Sequence, residues 1–380
     1  MEQTPGRIHY LDFMRGFAVI LMVMGHSIDS VLTPEERTTA IFRIHDVVRG
    51  FTAPLFLFVS GYAFSVATEK RWESFLTWSP PLARRLGKIL LLLIVGYALH
   101  LPFFSLHKLL YETTPAGYTQ LFQVDVLQCV AISLLLLHLI ILVAKTPRVS
   151  ALAILGVAAT MLLVTPVVSS IDFTAIISPV LAPYFNQQQP SVFPLFPYAA
   201  YLFAGAVSGH FFLAARRANT ERAFFRKLVG FGVALILAAI AFNQVSASLY
   251  PPHDFWKTNP TVLVSRIGII LAAVAGFYAL RGIPDVFGKQ LAALGQSSLS
   301  VYVLHLVIVY GSAANNGLMQ IVGPTLDYQA ALAVAATMLV AMTLFVWVWD
   351  FVQKRHNVHA RFVQAALAGT LLFYFFITPY

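Results

Sequence analysis

Four side chains near the start of the chain have the types and spacing for proton chemistry: Asp12, Arg15, His26 and Asp29. They bracket the first long apolar run, LDFMRGFAVILMVMGHSID. On a helix rising 1.5 Å per residue, Arg15 and His26 stand about 16 Å apart, roughly half a hydrocarbon core. An arginine at one membrane face then puts the histidine near the midplane, where an ionisable group is costly and marks function by default. His26 and Asp29 are three residues apart, so they share a helix face and can hydrogen-bond. A carboxylate beside an imidazole fixes its tautomer and raises its basicity, as removal of a proton from a hydroxyl or amine requires. A buried polar pair that only locks two helices would use the same residues.

Four further sets could carry chemistry. Arg84, Arg85 and Lys88 open an apolar run and could bind the phosphates of a nucleotide-bearing donor, helped by Lys70 and Arg71. Membrane anchoring on the cytoplasmic side would produce the same cluster. Asp125 and Gln128, in QVDVLQCVAIS, are spaced i, i+3; they could pair structurally, with Arg49 or Arg266 as partner, or hydrogen-bond a substrate. His305, in LGQSSLSVYVLHLVIVYG, falls at mid-span and could face the same cavity as His26, or simply bond a neighbouring helix. His45 and Asp46, beside Arg43 and Arg49, read as an outer loop that could meet an acceptor. His138 and His210 read as interfacial. No Walker loop, HExxH or dinucleotide fingerprint is present, and no metal is expected.

The elements that must position these groups are membrane helices. The chain is 58% hydrophobic and only 11% charged, with a mean hydropathy of +0.76, against about 25% charged in a soluble domain. The fold class expected is all-α, a polytopic bundle of about eleven spans. They fall near 11–32, 50–68, 86–106, 121–144, 149–168, 192–214, 227–249, 261–281, 291–311, 329–352 and 360–378. The lone Cys129 excludes an internal disulfide and a cysteine metal site. The net charge of +9 points to the lipid bilayer and not to nucleic acid, because the basic residues are short clusters between apolar runs. His26 and Asp29 interrupt the first run and no A-x-A-like site follows, so it reads as an uncleaved span.

With the N-terminus in the cytoplasm, nineteen of the 25 lysines and arginines fall inside and five outside. The excess sets that orientation, and an odd number of spans puts the C-terminus outside. The loop 169–191 is apolar and is expected on the membrane surface or over a cavity. One domain is expected over 1–380, and the absence of an internal repeat weakens an inverted-repeat transporter.

Several runs together resemble a known group. They are RIHYLDFMRGFAVILMVMGHSID, FTAPLFLFVSGYAF, the Arg84–Arg85 cluster, VDVLQCVAIS, FPLFPYAAYLFAGAVSG and SLSVYVLHL. In this order, over about 7–310, they look like the transmembrane acyltransferase superfamily. The nearest likeness is to bacterial relatives of the catalytic domain of heparan-alpha-glucosaminide N-acetyltransferase. Integral-membrane O-acyltransferases that modify surface polysaccharides look more distant. Helices over 329–380 would be additions to that core.

The resemblance implies transfer of an acyl group, often acetyl, from cytoplasmic acyl-CoA to an acceptor across the membrane, typically a sugar hydroxyl or amine. The arginine–ten residues–histidine spacing of the O-acyltransferases falls on Arg15 and His26. The histidine–two residues–aspartate pattern of the bacterial relatives falls on His26 and Asp29. In the lysosomal enzyme the key histidine follows the first span, and His45 is the nearest match. The expectation is an acyl-CoA-dependent acyltransferase of the bacterial cytoplasmic membrane. His26, with Asp29 or with His45 in its place, would do the catalysis. Arg15, Arg84, Arg85 and Lys88 would hold acetyl-CoA or another acyl-CoA. Asp12, Asp125, Gln128 and His305 would line the cavity for an extracytoplasmic glycan or other small acceptor. The alternative is a proton-coupled transporter using the same buried His and Asp as a relay.

Overall fold

The computed structural model describes residues 8–282 and 285–378; Arg7, part of the inner basic set, lies outside them. In chain order the helices are α1 (His9–Val31), α2 (Ala40–Arg49), α3 (Thr52–Glu69), α4 (Pro80–Ala98), α5 (Leu106–Tyr111), α6 (Pro115–Leu121), α7 (Val126–Ala144) and α8 (Pro147–Ser169). They continue as α9 (Leu195–Arg217), α10 (Glu221–Leu249), α11 (Pro260–Ala279), α12 (Asp285–Gln296), α13 (Ser298–Tyr310), α14 (Leu318–Ile321), α15 (Tyr328–Arg355) and α16 (Asn357–Ile377). Among the described residues β structure is limited to isolated bridges, so the all-α expectation holds.

Packing divides the chain into two compact units. One comprises the described parts of 1–52, 99–121 and 283–380; the other comprises 53–98 and 122–282. In the first, α1 is the central element and packs on α12, α13 and α15. It presents Val19 and Val23 to Leu294, Val301, Val309, Met338 and Met342, all buried. Glycine allows the closest approach: a Cβ on Gly16 would strike the Leu291 carbonyl, and one on Gly295 would strike that of Asp12. Small residues at such contacts are how membrane helices pack where no hydrophobic force drives them together.

In the second unit α3 and α9 interlock the same way, Gly61 lying against the Leu202 carbonyl and Gly205 against that of Phe58. Gly232 and Gly268 face each other across α10 and α11. Helix starts carry ordinary caps: Thr146 before Pro147 on α8, and Asn259 before Pro260 on α11, satisfying amides that no helix turn reaches. The loop 169–191 holds two 3-10 turns and is closed by Asn186, whose Nδ2 donates to the carbonyls of Val168 (2.8 Å) and Ile171 (2.7 Å).

All eleven stretches expected to span contain helix, but they are not equivalent. Among the described residues eight helices are long and apolar enough to cross, with α2 and α3 counted as one, and nine if α12 and α13 form one span bent by 76°. The bend falls at Ser297, where α12 has ended and α13 has not begun. The expected third span, 86–106, is instead α4, which starts at Pro80 and takes Arg84, Arg85 and Lys88 into its own first half. The last helix, α16, has 21 residues, of which Phe362–Ile377 form its apolar part.

Candidate active site

His26 lies on α1, five residues before its end. Its Nδ1 is 2.9 Å from Nε2 of His305 on α13, and the ring planes stack within 11°. His305 is fully buried, and its Nδ1 lies 2.8 Å from the Val301 carbonyl one turn earlier. Tyr310, the last residue of α13, turns its ring edge to His26 at 5.6 Å. The two histidines that the sequence places at mid-span are therefore joined ring to ring within one unit. The same helix faces that bring Val19 and Val23 against Val301 and Val309 bring them together.

Asp29 has other partners. Its carboxylate pairs with Arg49 from α2, and Arg37 approaches its Oδ1 at 3.6 Å and its main-chain oxygen at 2.7 Å. Arg49 also holds Asp46, at 2.5 Å. The stem of Arg49 crosses α1 at Gly25, where a Cβ would stand 3.2 Å from its Cγ and Cδ. A three-residue spacing gives a carboxylate access to a neighbouring imidazole, but two guanidiniums are stronger partners. The sequence offered Arg49 to Asp125; it serves Asp29 instead. Arg15 pairs with Asp12 at 3.9 Å, as the spacing suggests.

His45 is a helix residue, not a loop residue. Phe42, His45 and Arg49 fall on the inward face of α2, and Thr39 caps its start through the amide of Phe42 (3.3 Å). The His45 ring stacks on Phe42 and meets Tyr328 edge-on. Ile41, Ile44, Val47 and Val48 make an exposed apolar row on the opposite side. Amphipathic periodicity within 40–49 was the signal for this helix, masked by three charged residues in ten.

In the second unit the basic cluster separates into two kinds of residue. Arg84 and Lys88, one turn apart on α4, are exposed. Arg85 turns inward: its guanidinium lies over the rings of Phe75 (3.5 Å) and Phe64 (4.2 Å) and donates to Thr68 Oγ1 at 2.8 Å. Asp125 is the N-cap of α7, and Gln128 completes a capping box: Asp125 Oδ1 accepts from the Val126 amide, and Gln128 Oε1 from the Asp125 amide at 3.3 Å. Gln128 is fully buried against Gly96 of α4. The i, i+3 spacing that suggested a substrate contact is also the spacing of a capping box.

Two histidines read as interfacial are buried or paired in this unit. His138 is 3% exposed, with its ring edge toward Phe75. His210 Nδ1 lies 2.5 Å from Glu69 Oε1, and Arg217 approaches the other oxygen at 3.4 Å. Glu69 and His210 are 141 residues apart, so no local pattern signals the pair.

The unit around α1 thus carries an imidazole pair flanked by a tyrosine and an arginine-bound carboxylate, equipment for moving a proton. The other presents exposed basic side chains at a helix start, equipment for holding an anion. The chain matches the family model described as an acyltransferase domain over residues 8–351. A comparison with curated proteins returns no match. The helical architecture and the match, which extends through nearly the whole chain, agree: the chain belongs to the transmembrane acyltransferase family.

Proposed function

We propose that this membrane acyltransferase takes its acyl group, acetyl in the simplest case, from acyl-CoA on the cytoplasmic side. It delivers the group to a hydroxyl or amine, on a sugar or other small acceptor, at the outer side. The observation that carries the reading is the His26–His305 pair on apolar helices, since a half-buried imidazole whose orientation is held is suited to general-base work. His26 deprotonates the acceptor, whose oxygen or nitrogen then attacks the acyl carbon. Arg84 and Lys88 hold the donor's phosphates, and Arg85 supports the segment that presents them. Arg15, steadied by Asp12, assists at the donor end, and His45 and the Asp29–Arg49 pair shape the acceptor end. Kinship with bacterial relatives of heparan-alpha-glucosaminide N-acetyltransferase, and a place in the bacterial cytoplasmic membrane, belong to this reading.

The test is acetyl-CoA binding to purified protein by calorimetry, followed by turnover. Arg84→Ala/Lys88→Ala should weaken binding at least tenfold, with a salt dependence reduced relative to wild type. His26→Ala should bind acetyl-CoA normally and transfer nothing. Wild-type protein that is folded yet binds no acyl-CoA would sink the donor assignment. Normal turnover by His26→Ala would sink the base.

A further inference from the structure

We propose that His305 is a positioning residue that fixes the ring hydrogen of His26 on Nδ1, so that Nε2 of His26 is the nitrogen that meets the acceptor. The proposal rests on the reading of His26 as general base. It assigns His305 a task different from lining a cavity.

The argument follows one chain of hydrogen bonds from its fixed end. A carbonyl oxygen can only accept. The contact from His305 Nδ1 to the Val301 oxygen, at 2.8 Å, therefore requires the hydrogen on Nδ1 of His305. The Val301 carbonyl has two lone pairs, one for the helix ladder and one for this ring. His305 is fully buried. Among the described residues its partners are that carbonyl, His26 and the ring of Tyr302 at 5.8 Å, and none of these is a carboxylate that could hold a charge on it. Burying an unpaired imidazolium is costly, so the ring is neutral and its Nε2 is an acceptor. At 2.9 Å from that acceptor, Nδ1 of His26 must donate. As the free base, the form its proposed role requires, His26 carries hydrogen on one nitrogen alone, so its lone pair is on Nε2.

The surroundings keep this chain in register. Val301 and Val309 flank His305 on α13 and pack with Val19 and Val23 of α1 and with Met338 and Met342 of α15. The two imidazoles lie nearly parallel, centroids 5.2 Å apart, so a flip of either ring would break the contact. The carboxylate that the sequence offers to orient His26, that of Asp29, is engaged by Arg49 and Arg37.

In the reaction, Nε2 takes the hydrogen of the acceptor O–H or N–H as that oxygen or nitrogen bonds to the acyl carbon. The carbon–sulfur bond of the thioester breaks and sulfur leaves as thiolate. His26 then holds two hydrogens, and the lone pair of His305 Nε2 steadies the cation until water takes the proton from Nε2.

The experiment combines nitrogen NMR with two substitutions. In protein carrying 15N-histidine, with the His26 signals assigned by their loss in His26→Gln, the spectrum should show Nδ1 of His26 protonated and Nε2 bare. His305→Leu removes the acceptor in an apolar side chain of similar bulk. It should lower kcat by about 100-fold or more, as loss of a tautomer-fixing partner does, with KM for donor and acceptor within threefold. His305→Gln, whose amide oxygen can accept from Nδ1, should recover at least a tenfold part of that loss. A wild-type spectrum with hydrogen on Nε2 of His26 overturns the proposal, as does a His305→Leu enzyme within threefold of wild-type kcat. Should the leucine variant fail to fold, the wild-type spectrum still decides. Should wild type transfer no acyl group, the functional reading falls, while the spectrum still decides which nitrogen carries the hydrogen.

Discussion

Asp29 and Asp125 show how one residue type at one spacing reaches different ends. Both are aspartates three residues from a polar partner in the sequence. Asp29 neutralises two arginines that reach it from 37 and 49, whereas Asp125 caps its own helix. Removal should separate them. Asp29→Asn strips a carboxylate from two part-buried guanidiniums and should cost about 1–3 kcal/mol. It should also lower turnover by loosening α2 from α1. Thermal unfolding in detergent measures the first effect, and coupling to Arg49→Gln in a double-mutant cycle identifies the pair. Asp125→Ala should cost about 1 kcal/mol, the value of an N-cap, with KM for both substrates unchanged. A large rise in acceptor KM would return Asp125 to the substrate. Arg85→Ala should lower the unfolding temperature, because it empties the space between Phe64 and Phe75, while Arg84→Ala should not.

At the scale of elements, the decisive contacts are glycine against backbone. Gly61 and Gly205 bring α3 and α9 together so closely that a Cβ on either has no room. Gly205→Val should therefore drive those helices apart and cost more than about 3 kcal/mol, the upper range of overpacking. The protein should lose its monodisperse peak in size-exclusion chromatography. Gly156→Val on α8 is the control, since nothing lies within 4 Å of a Cβ there, and it should leave that peak unchanged. The bend between α12 and α13 has a different cause: the backbone leaves helical geometry at Ser297, at φ −94° and ψ 16°. It leaves α13, which carries His305 and Tyr310, as a 13-residue helix ending at Gly311, whose φ of +77° suits glycine.

For the molecule as a whole, the testable quantity is which side each loop occupies. The expectation from the lysine and arginine distribution is Arg148 and Lys289 in the cytoplasm and Arg37 and Lys257 outside. Cys129 is fully buried, so single cysteines can be introduced against a quiet background. Lys257→Cys should react with a membrane-impermeant maleimide in intact cells, and Arg148→Cys only after permeabilisation. The reverse pattern would invert the sides assigned to donor and acceptor.

Composition and period were enough to fix the class of the fold. A chain 11% charged and 58% hydrophobic, with its apolar residues in runs near 20 long, reads as helices in a bilayer, because a helix satisfies its backbone groups within its own span. Ionisable residues within those runs stand out at once, as His26 and His305 did. The third-span boundary was legible only approximately, because charges at 84, 85 and 88 hide a helix that begins at Pro80. The rest was decided by tertiary structure. His26 meets His305 279 residues away, and Glu69 meets His210 141 residues away; no local period encodes such meetings. Arg85 looked like its neighbour Arg84 in the sequence, yet one points among aromatic rings and the other to the surface. The physical reason is common to all of these. Periodicity reports which face of a helix is apolar, whereas the partner of a polar group on that face is fixed only when another helix docks against it and competing partners are ranked by charge and distance.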